Sequence, residues 1–453
     1  MNFLSPLFLP VLLLTAGMSS RIPPSRRWIP LLAASCFFYI YGEGWGSLLL
    51  ASVILLTWGC GLALAKTRRP GVRRTLLALA LIWCLGSLFV FKYMTFALNA
   101  VGVSGMRSLA LPVGISFFTF QTLSYVIDVY RGAAPAESHV GLYALYVSFF
   151  PQLVAGPIER SGDLLPQLKT PGRVSGQDVH AGLWLMLRGY VKKVLLADTA
   201  AAVVDAVYAA PGEASAVAAL AALVLFALQI YGDFSGYSDI ALGTARLLGV
   251  HLTENFRMPY LAGSLRDFWR RWHISLNRWL VDYVYRPLGG SRRGRKHTAL
   301  NTMIIFLASG LWHGAGWHYL LWGGLHGAAL TAERLLLPHA PATRSGRWLR
   351  TGLTFAFVCL AWTFFRAESI GDACALLLRL GTGWTGGSPI AMTPLTALRL
   401  AFALAAVWRL DLALPKPSDR AAAGAFFLIA ACMLALLVQA SAGVENSFIY
   451  FRF

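Results

Sequence analysis

Four apolar runs in this chain are each near the ~20 residues that a helix needs to cross a lipid bilayer. They are "LLLASVILLTWGCGLALA" (48–65), "TLLALALIWCLGSLFVF" (75–91), "AVAALAALVLFALQIYG" (216–232) and "AAAGAFFLIAACMLALLVQASAG" (421–443). Further candidates cover 3–19, 28–41, 141–155, 182–207, 298–312, 317–337, 348–365 and 394–411, some short enough to be re-entrant or buried. Charged residues make up 13% of the 453 residues, about half the share in a soluble domain. With so little polar surface to offer water, the chain reads as an all-α, multi-pass membrane protein with lipid as its solvent. The 3–19 run has no basic residues before it and no small-residue cleavage site after it, so it reads as a retained span.

The formal net charge of +19 is not spread evenly. Basic residues cluster in short loops between apolar runs, at "SRIPPSRR" (20–27), "KTRRPGVRR" (66–74) and "SRRGRKH" (291–297). That distribution places the three loops in the cytoplasm. Residues 28–66 then cross out and back, turning near "YGEGWG". No nucleic-acid-binding module accompanies the charge, so no nucleic acid is expected. The six cysteines are scattered, mostly in apolar runs, with no C-x-x-C, and read as small buried hydrophobes.

The chain reads as a single membrane domain over 1–453 with three zones. Simple spans fill 1–110 and 341–453, and 111–340 is denser in Gly, Pro, Trp and His. Polar, irregular backbone at membrane depth is tolerated only where protein buries it or a cavity hydrates it, so the middle zone is where chemistry is expected.

Within "GSLRDFWRRWHISLNRWLVDYVYRPLGG" (263–290), Trp269, His273, Leu276, Leu280 and Tyr283 fall on one helical stripe with Arg266, Arg270 and Arg278 off it. This predicts an amphipathic interfacial helix ended by Pro and Gly. His273 at the centre of the stripe is either a functional imidazole or a satisfied core histidine, and this helix alone does not separate the two. In "SGLWHGAGWHYLLWGGLHG" (309–327), His313 ends an apolar span, where an imidazole is a functional-site hypothesis, the alternative being a helix–helix hydrogen bond. Gly310, Gly314 and Gly316 predict close approach of the backbone to another helix or to substrate. His318 and His326 fall on other helical faces and are expected to be structural.

No metal site is expected, because no carboxylate lies three or four residues from His313 and no H-E-x-x-H occurs. "YGDFSGYSD" (231–239) lacks the spacing of a serine nucleophile elbow. Acid–base chemistry by histidine remains. Acyl transfer from a thioester to a hydroxyl needs that and little else, with arginines nearby for a phosphate-bearing donor.

Five ordered motifs carry a family resemblance: "LPVGISFFTFQTLSYVIDVYRG" (111–132), "FFPQLVAGPIERSGDLLPQL" (149–168), "YGDFSGYSDIALGTARLLG" (231–249), "RDFWRRWHISLNRWLVDYVYRPLGG" (266–290) and "GLWHGAGWHYLLWGGLHG" (310–327). The chain resembles the membrane-bound O-acyltransferase family, most closely its bacterial alginate O-acetylation branch. The terminal "FIYFRF" is similar to an ending common there, with Arg452 where Gln is usual. The resemblance implies a ring of helices around a central tunnel, with His313 and His273 as the catalytic pair. Arg270, Arg271, Asp233 and Trp312 are secondary candidates for substrate contact. Asp128, Glu159, Arg160 and Asp239 lie in matching motifs, where ion pairing and helix capping explain them as well. The resemblance also implies an acetyl group taken from a cytoplasmic thioester, with acetyl-CoA as donor and no permanently bound cofactor. That group would cross a bacterial inner membrane to a periplasmic SGNH-type transferase that modifies a polysaccharide. The competing readings are a transporter or flippase of a lipid-linked saccharide, for which an internal repeat is missing, and a solely structural membrane partner.

Overall fold

The computed structural model describes residues 3–103, 109–336, 343–412, 420 and 423–431. The regular secondary structure of these residues is helical, apart from one isolated bridge between Ala214 and Ser388. Among the described residues, four stretches are long and apolar enough to cross a membrane: Pro24–Lys66, Pro70–Ala100, Ala216–Leu247 and Arg344–Arg366. The first is interrupted at Gly44–Gly46, where Gly44 adopts φ +52, at the expected "YGEGWG" turn. Of the last apolar run only 423–431 is described, and "FIYFRF" lies outside the described residues.

The chain divides into two compact units. One is built from Met1–Leu187 and Tyr237–Thr253. Its centre is the helix Ile115–Arg131, buried along most of its length and packed against Ser47–Lys66 and Pro70–Leu88. Gly61 brings the backbone of the first of these against the Tyr125 ring, with no room for a larger residue. The expected 141–155 span is not one helix. Helix stops at Ser148, and a buried turn follows around Pro151, whose ring disfavours a helical residue before it. Buried backbone outside a helix must find partners, and here side chains supply them. Phe150 N donates to Ser35 Oγ (3.1 Å), and the Gln152 amide donates to the Tyr146 carbonyl (2.9 Å). Glu159 accepts from the backbone N and hydroxyl of Thr253, so its motif position serves this unit's own packing.

The other unit is built from Arg188–Gly236 and Glu254–Ala413. The expected 182–207 span is interrupted here by a π-helical segment, Val191–Ala197. The π segment gives each of two consecutive lysines its own buried partners. Lys193 Nζ pairs with Asp233 (2.7 Å) and Asp198 (2.8 Å), and Lys192 Nζ pairs with Asp411 (2.7 Å), which also accepts from the Tyr231 hydroxyl (2.7 Å). The helix carrying Asp233 approaches closely because Gly232 and Gly236, four residues apart on one face, meet the carbonyls of Lys192 and Gly189. The spacing that fails as a nucleophile elbow is a packing motif.

Helices Arg295–His313 and Trp317–Leu336 form a tight pair. Gly310 lies against the Tyr319 carbonyl and Gly323 against the Phe306 carbonyl. Of the two readings of these glycines, the helix–helix one holds for Gly310, and Gly314 is covered by the Tyr319 ring rather than open to substrate. Gly323→Val, whose branched side chain would push the pair apart, should cost at least about 1–3 kcal/mol as overpacking. The level of folded protein in membranes, read by size-exclusion fluorescence, should fall well below wild type.

Candidate active site

The expected continuous helix over 263–290 is broken at its centre. Leu265–Arg271 and Ile274–Leu280 are separate short helices, followed by a π segment, Val281–Tyr285. The break falls on His273, which adopts φ +47 and ψ +53, a left-handed conformation rare for a residue with a side chain. Such strain persists only where surroundings over-determine it, and here they do. The Asn277 amide donates to the carbonyls of Trp269 and Trp272 (both 2.7 Å), which the broken helix leaves without i+4 partners. Asn255 holds the far side: its carbonyl accepts from Ile274 N (3.1 Å) and its side-chain oxygen from Ser275 N (3.0 Å). Asn277→Ala should therefore lower stability by about 1–3 kcal/mol, read as an earlier thermal transition in detergent.

The left-handed turn aims His273 inward. It is 1% exposed, and its ring centroid lies 6.4 Å from that of His313, which is 5% exposed. Trp312 stands edge-on to both imidazoles, 5.6 Å from His273 and 4.9 Å from His313. Phe234 covers His273 (4.8 Å), while Trp322 and Phe365 cover His313 (both 5.2 Å). Proton transfer requires donor–acceptor distances of roughly 2.6–3.2 Å, and rings whose centroids lie 6.4 Å apart are near enough for one small group to reach both.

The other expected site residues separate in space. Trp312 is part of the pair's wall. Asp233 precedes Phe234 but spends its carboxylate on Lys193, which makes it an ion-pairing residue. Arg271 pairs with Asp267 (2.9 Å) on its own helix. Arg270 is exposed and lines a separate cavity of about 640 Å³. His318 sits beside the Tyr319 ring (4.2 Å). His326 is fully buried among aromatic rings, and its Nδ1 accepts from Trp269 Nε1 at 3.3 Å. Both pack against aromatic rings, and the phase argument that set them apart from His313 does not apply, because a break after His313 puts them on the next helix, Trp317–Leu336. Sequence reasoning missed the break at His273 and the Lys192–Lys193 ion-pair network. The signal for the network was "VKKVLLAD" inside an apolar run, because charges at membrane depth come with partners.

The profile of the membrane-bound O-acyltransferase family matches residues 87–370. The probable alginate O-acetylase of Pseudomonas aeruginosa is 40% identical over 376 residues, covering 80% of this chain and 71% of that protein. The peptidoglycan O-acetyltransferase of Helicobacter pylori is 35% identical over 414 residues, covering 83% of this chain and 77% of that protein. The teichoic acid D-alanyltransferase of Streptococcus thermophilus is 28% identical over 246 residues, covering 50% and 58%.

Proposed function

Because this chain belongs to the membrane-bound O-acyltransferase family, we propose that it passes an acetyl group from a cytoplasmic thioester outward for O-acetylation of an exported or cell-wall polysaccharide. The observation that carries this reading is the meeting of His273 and His313 in a buried aromatic pocket. A neutral imidazole there can take the proton of an acceptor hydroxyl as its oxygen attacks the thioester carbonyl. The new acyl–oxygen bond forms as the carbon–sulfur bond breaks. The proton then goes from the imidazole to the departing thiolate, which needs little help because a thiolate is a stable leaving group. We assign His313 this proton-transfer role, and His273 the polarisation and positioning of the same reacting group.

Acetyl-CoA is the donor this reading favours, with no resident cofactor or metal. The distribution of basic loops supports a cytoplasmic side for the donor, and this reading puts the protein in a bacterial inner membrane. The acceptor on the outer side is a hydroxyl of a periplasmic SGNH-type transferase, which then modifies the polysaccharide. Relatives named for alginate and for peptidoglycan support a polymeric saccharide as the final acceptor.

A flippase would move a saccharide without cleaving a thioester. Purified protein in nanodiscs should release free CoA from acetyl-CoA when an acceptor hydroxyl is supplied, and His313→Ala should not. Acceptor-independent release equal in both proteins would remove the catalytic assignment.

A further inference from the structure

Four arginines, Arg266, Arg270, Arg295 and Arg334, line the 640 Å³ cavity, which includes no carboxylate in its wall. None of the four forms an ion pair with any described residue, whereas their neighbours Arg271 and Arg286 each pair with an acid four residues back. The acids adjacent to the lining in sequence are occupied: Asp267 and Asp282 pair with Arg271 and Arg286, and the Glu333 carboxylate accepts from the backbone N of Leu265 (2.6 Å) and Arg266 (3.3 Å). The first turn of the helix Arg295–His313 also borders the cavity, through Arg295 and Thr298, and adds the positive end of its dipole. Like charges gathered in one cavity repel one another, and a bound polyanion reverses the sign of that interaction.

The remaining lining selects among anions. Val281, Ile305, Leu330 and Leu335 form the apolar wall, and Leu335 is more than half exposed, so the wall opens onto the surface. A nucleotide would need hydrogen-bond donors for its base and ribose. The hydroxyls of Thr298, Thr302 and Thr331 already donate to carbonyls of their own helices, and the Asn277 amide to Trp269 and Trp272. What the cavity offers freely is guanidinium, hydrocarbon and the single phenol of Tyr285, too few neutral donors for both a base and a ribose. Arg295 lies within "SRRGRKH", the loop that charge distribution places on the cytoplasmic side, and basic pockets between helices on that side suit anionic lipid headgroups.

We propose that this cavity is a binding site for an anionic phospholipid of the cytoplasmic leaflet, with its phosphate on the four arginines and its acyl chains along the apolar wall. The full-length protein, purified in detergent, is titrated with phosphatidylglycerol or phosphatidylcholine and adducts are counted by native mass spectrometry. Phosphatidylglycerol should bind more tightly than phosphatidylcholine. The Arg295→Gln/Arg334→Gln variant should bind it about thirty-fold more weakly, at roughly fivefold per arginine. Arg295→Lys/Arg334→Lys keeps the charges and should stay within about threefold of wild type. Excess adenosine 3′,5′-bisphosphate, which mimics the nucleotide end of a CoA thioester, should leave the lipid adducts in place. Equal affinity for the two lipids, a Gln variant that binds as wild type does, or competitive displacement by the nucleotide would each overturn the assignment. Because the readout is binding, the outcome is independent of whether the chain transfers acetyl groups.

Discussion

His313→Ala should lower acetyl transfer by about a hundred- to ten-thousand-fold, the range that a positioned proton-transfer group supplies, while the protein still inserts and accumulates. The measurement is the acetyl content of the exported polysaccharide in cells carrying only the variant, normalised to membrane-bound protein. Accumulation should survive because the loss is local. His313 ends the helix Arg295–His313, and although its imidazole also packs on Trp322 of the next helix, the backbone contacts at Gly310 and Gly323 that hold the two helices together remain. His313→Gln retains polarity and much of the volume but cannot exchange a proton near neutral pH, so it should fall as far as alanine. Full acetylation by either variant would sink the catalytic role of His313. His273→Ala should lose rate as well. His273→Asn should disturb the fold less than alanine does, because asparagine tolerates the left-handed backbone that the break requires.

The second large effect is on stability. Lys193→Met leaves Asp233 and Asp198 without the cation that both face, and breaking a buried ion pair from one side costs about 3–5 kcal/mol. The variant should accumulate poorly and unfold at markedly lower temperature in detergent. Lys193→Met/Asp233→Asn removes one of the stranded charges and should recover part of the loss. A single variant that melts with wild type would show that the network contributes nothing to the fold. A double variant no better than the single one would show that the lost cation matters for some reason other than charge.

The spans were legible because lipid imposes a crude requirement, about twenty apolar residues, that composition alone reveals. That requirement located Pro70–Ala100, Ala216–Leu247 and Arg344–Arg366, and placed the turn in Pro24–Lys66. It left short runs such as 141–155 open as re-entrant or buried, and there Pro151 and hydrogen bonds with the Ser35 and Gln152 side chains hold irregular backbone that still looks apolar in sequence. At the site, His318 and His326 do stand apart from His313 in role, but not by helical phase, because the helix ends at His313 and a second one begins at Trp317. Phase misled at 263–290, because a continuous stripe through Trp269, His273 and Leu276 assumes an unbroken helix. The residues that hold the break, Asn255 and Asn277, act through side-chain and backbone hydrogen bonds to carbonyls and N–H groups five to twenty residues away, which periodicity does not register. His313 and His273 were singled out as residues, but their convergence across 40 positions depends on that left-handed turn.

The most direct test of the account is transfer of a radiolabelled acetyl group across a sealed membrane. Proteoliposomes carry the protein in one orientation, with labelled acetyl-CoA on the side of the basic loops and a hydroxyl acceptor only on the other. The account requires label on the acceptor and an equal amount of free CoA on the donor side, both lost in His313→Ala. Label that stays with CoA in the wild-type protein, or that reaches the acceptor equally well in the His313 variant, would contradict it.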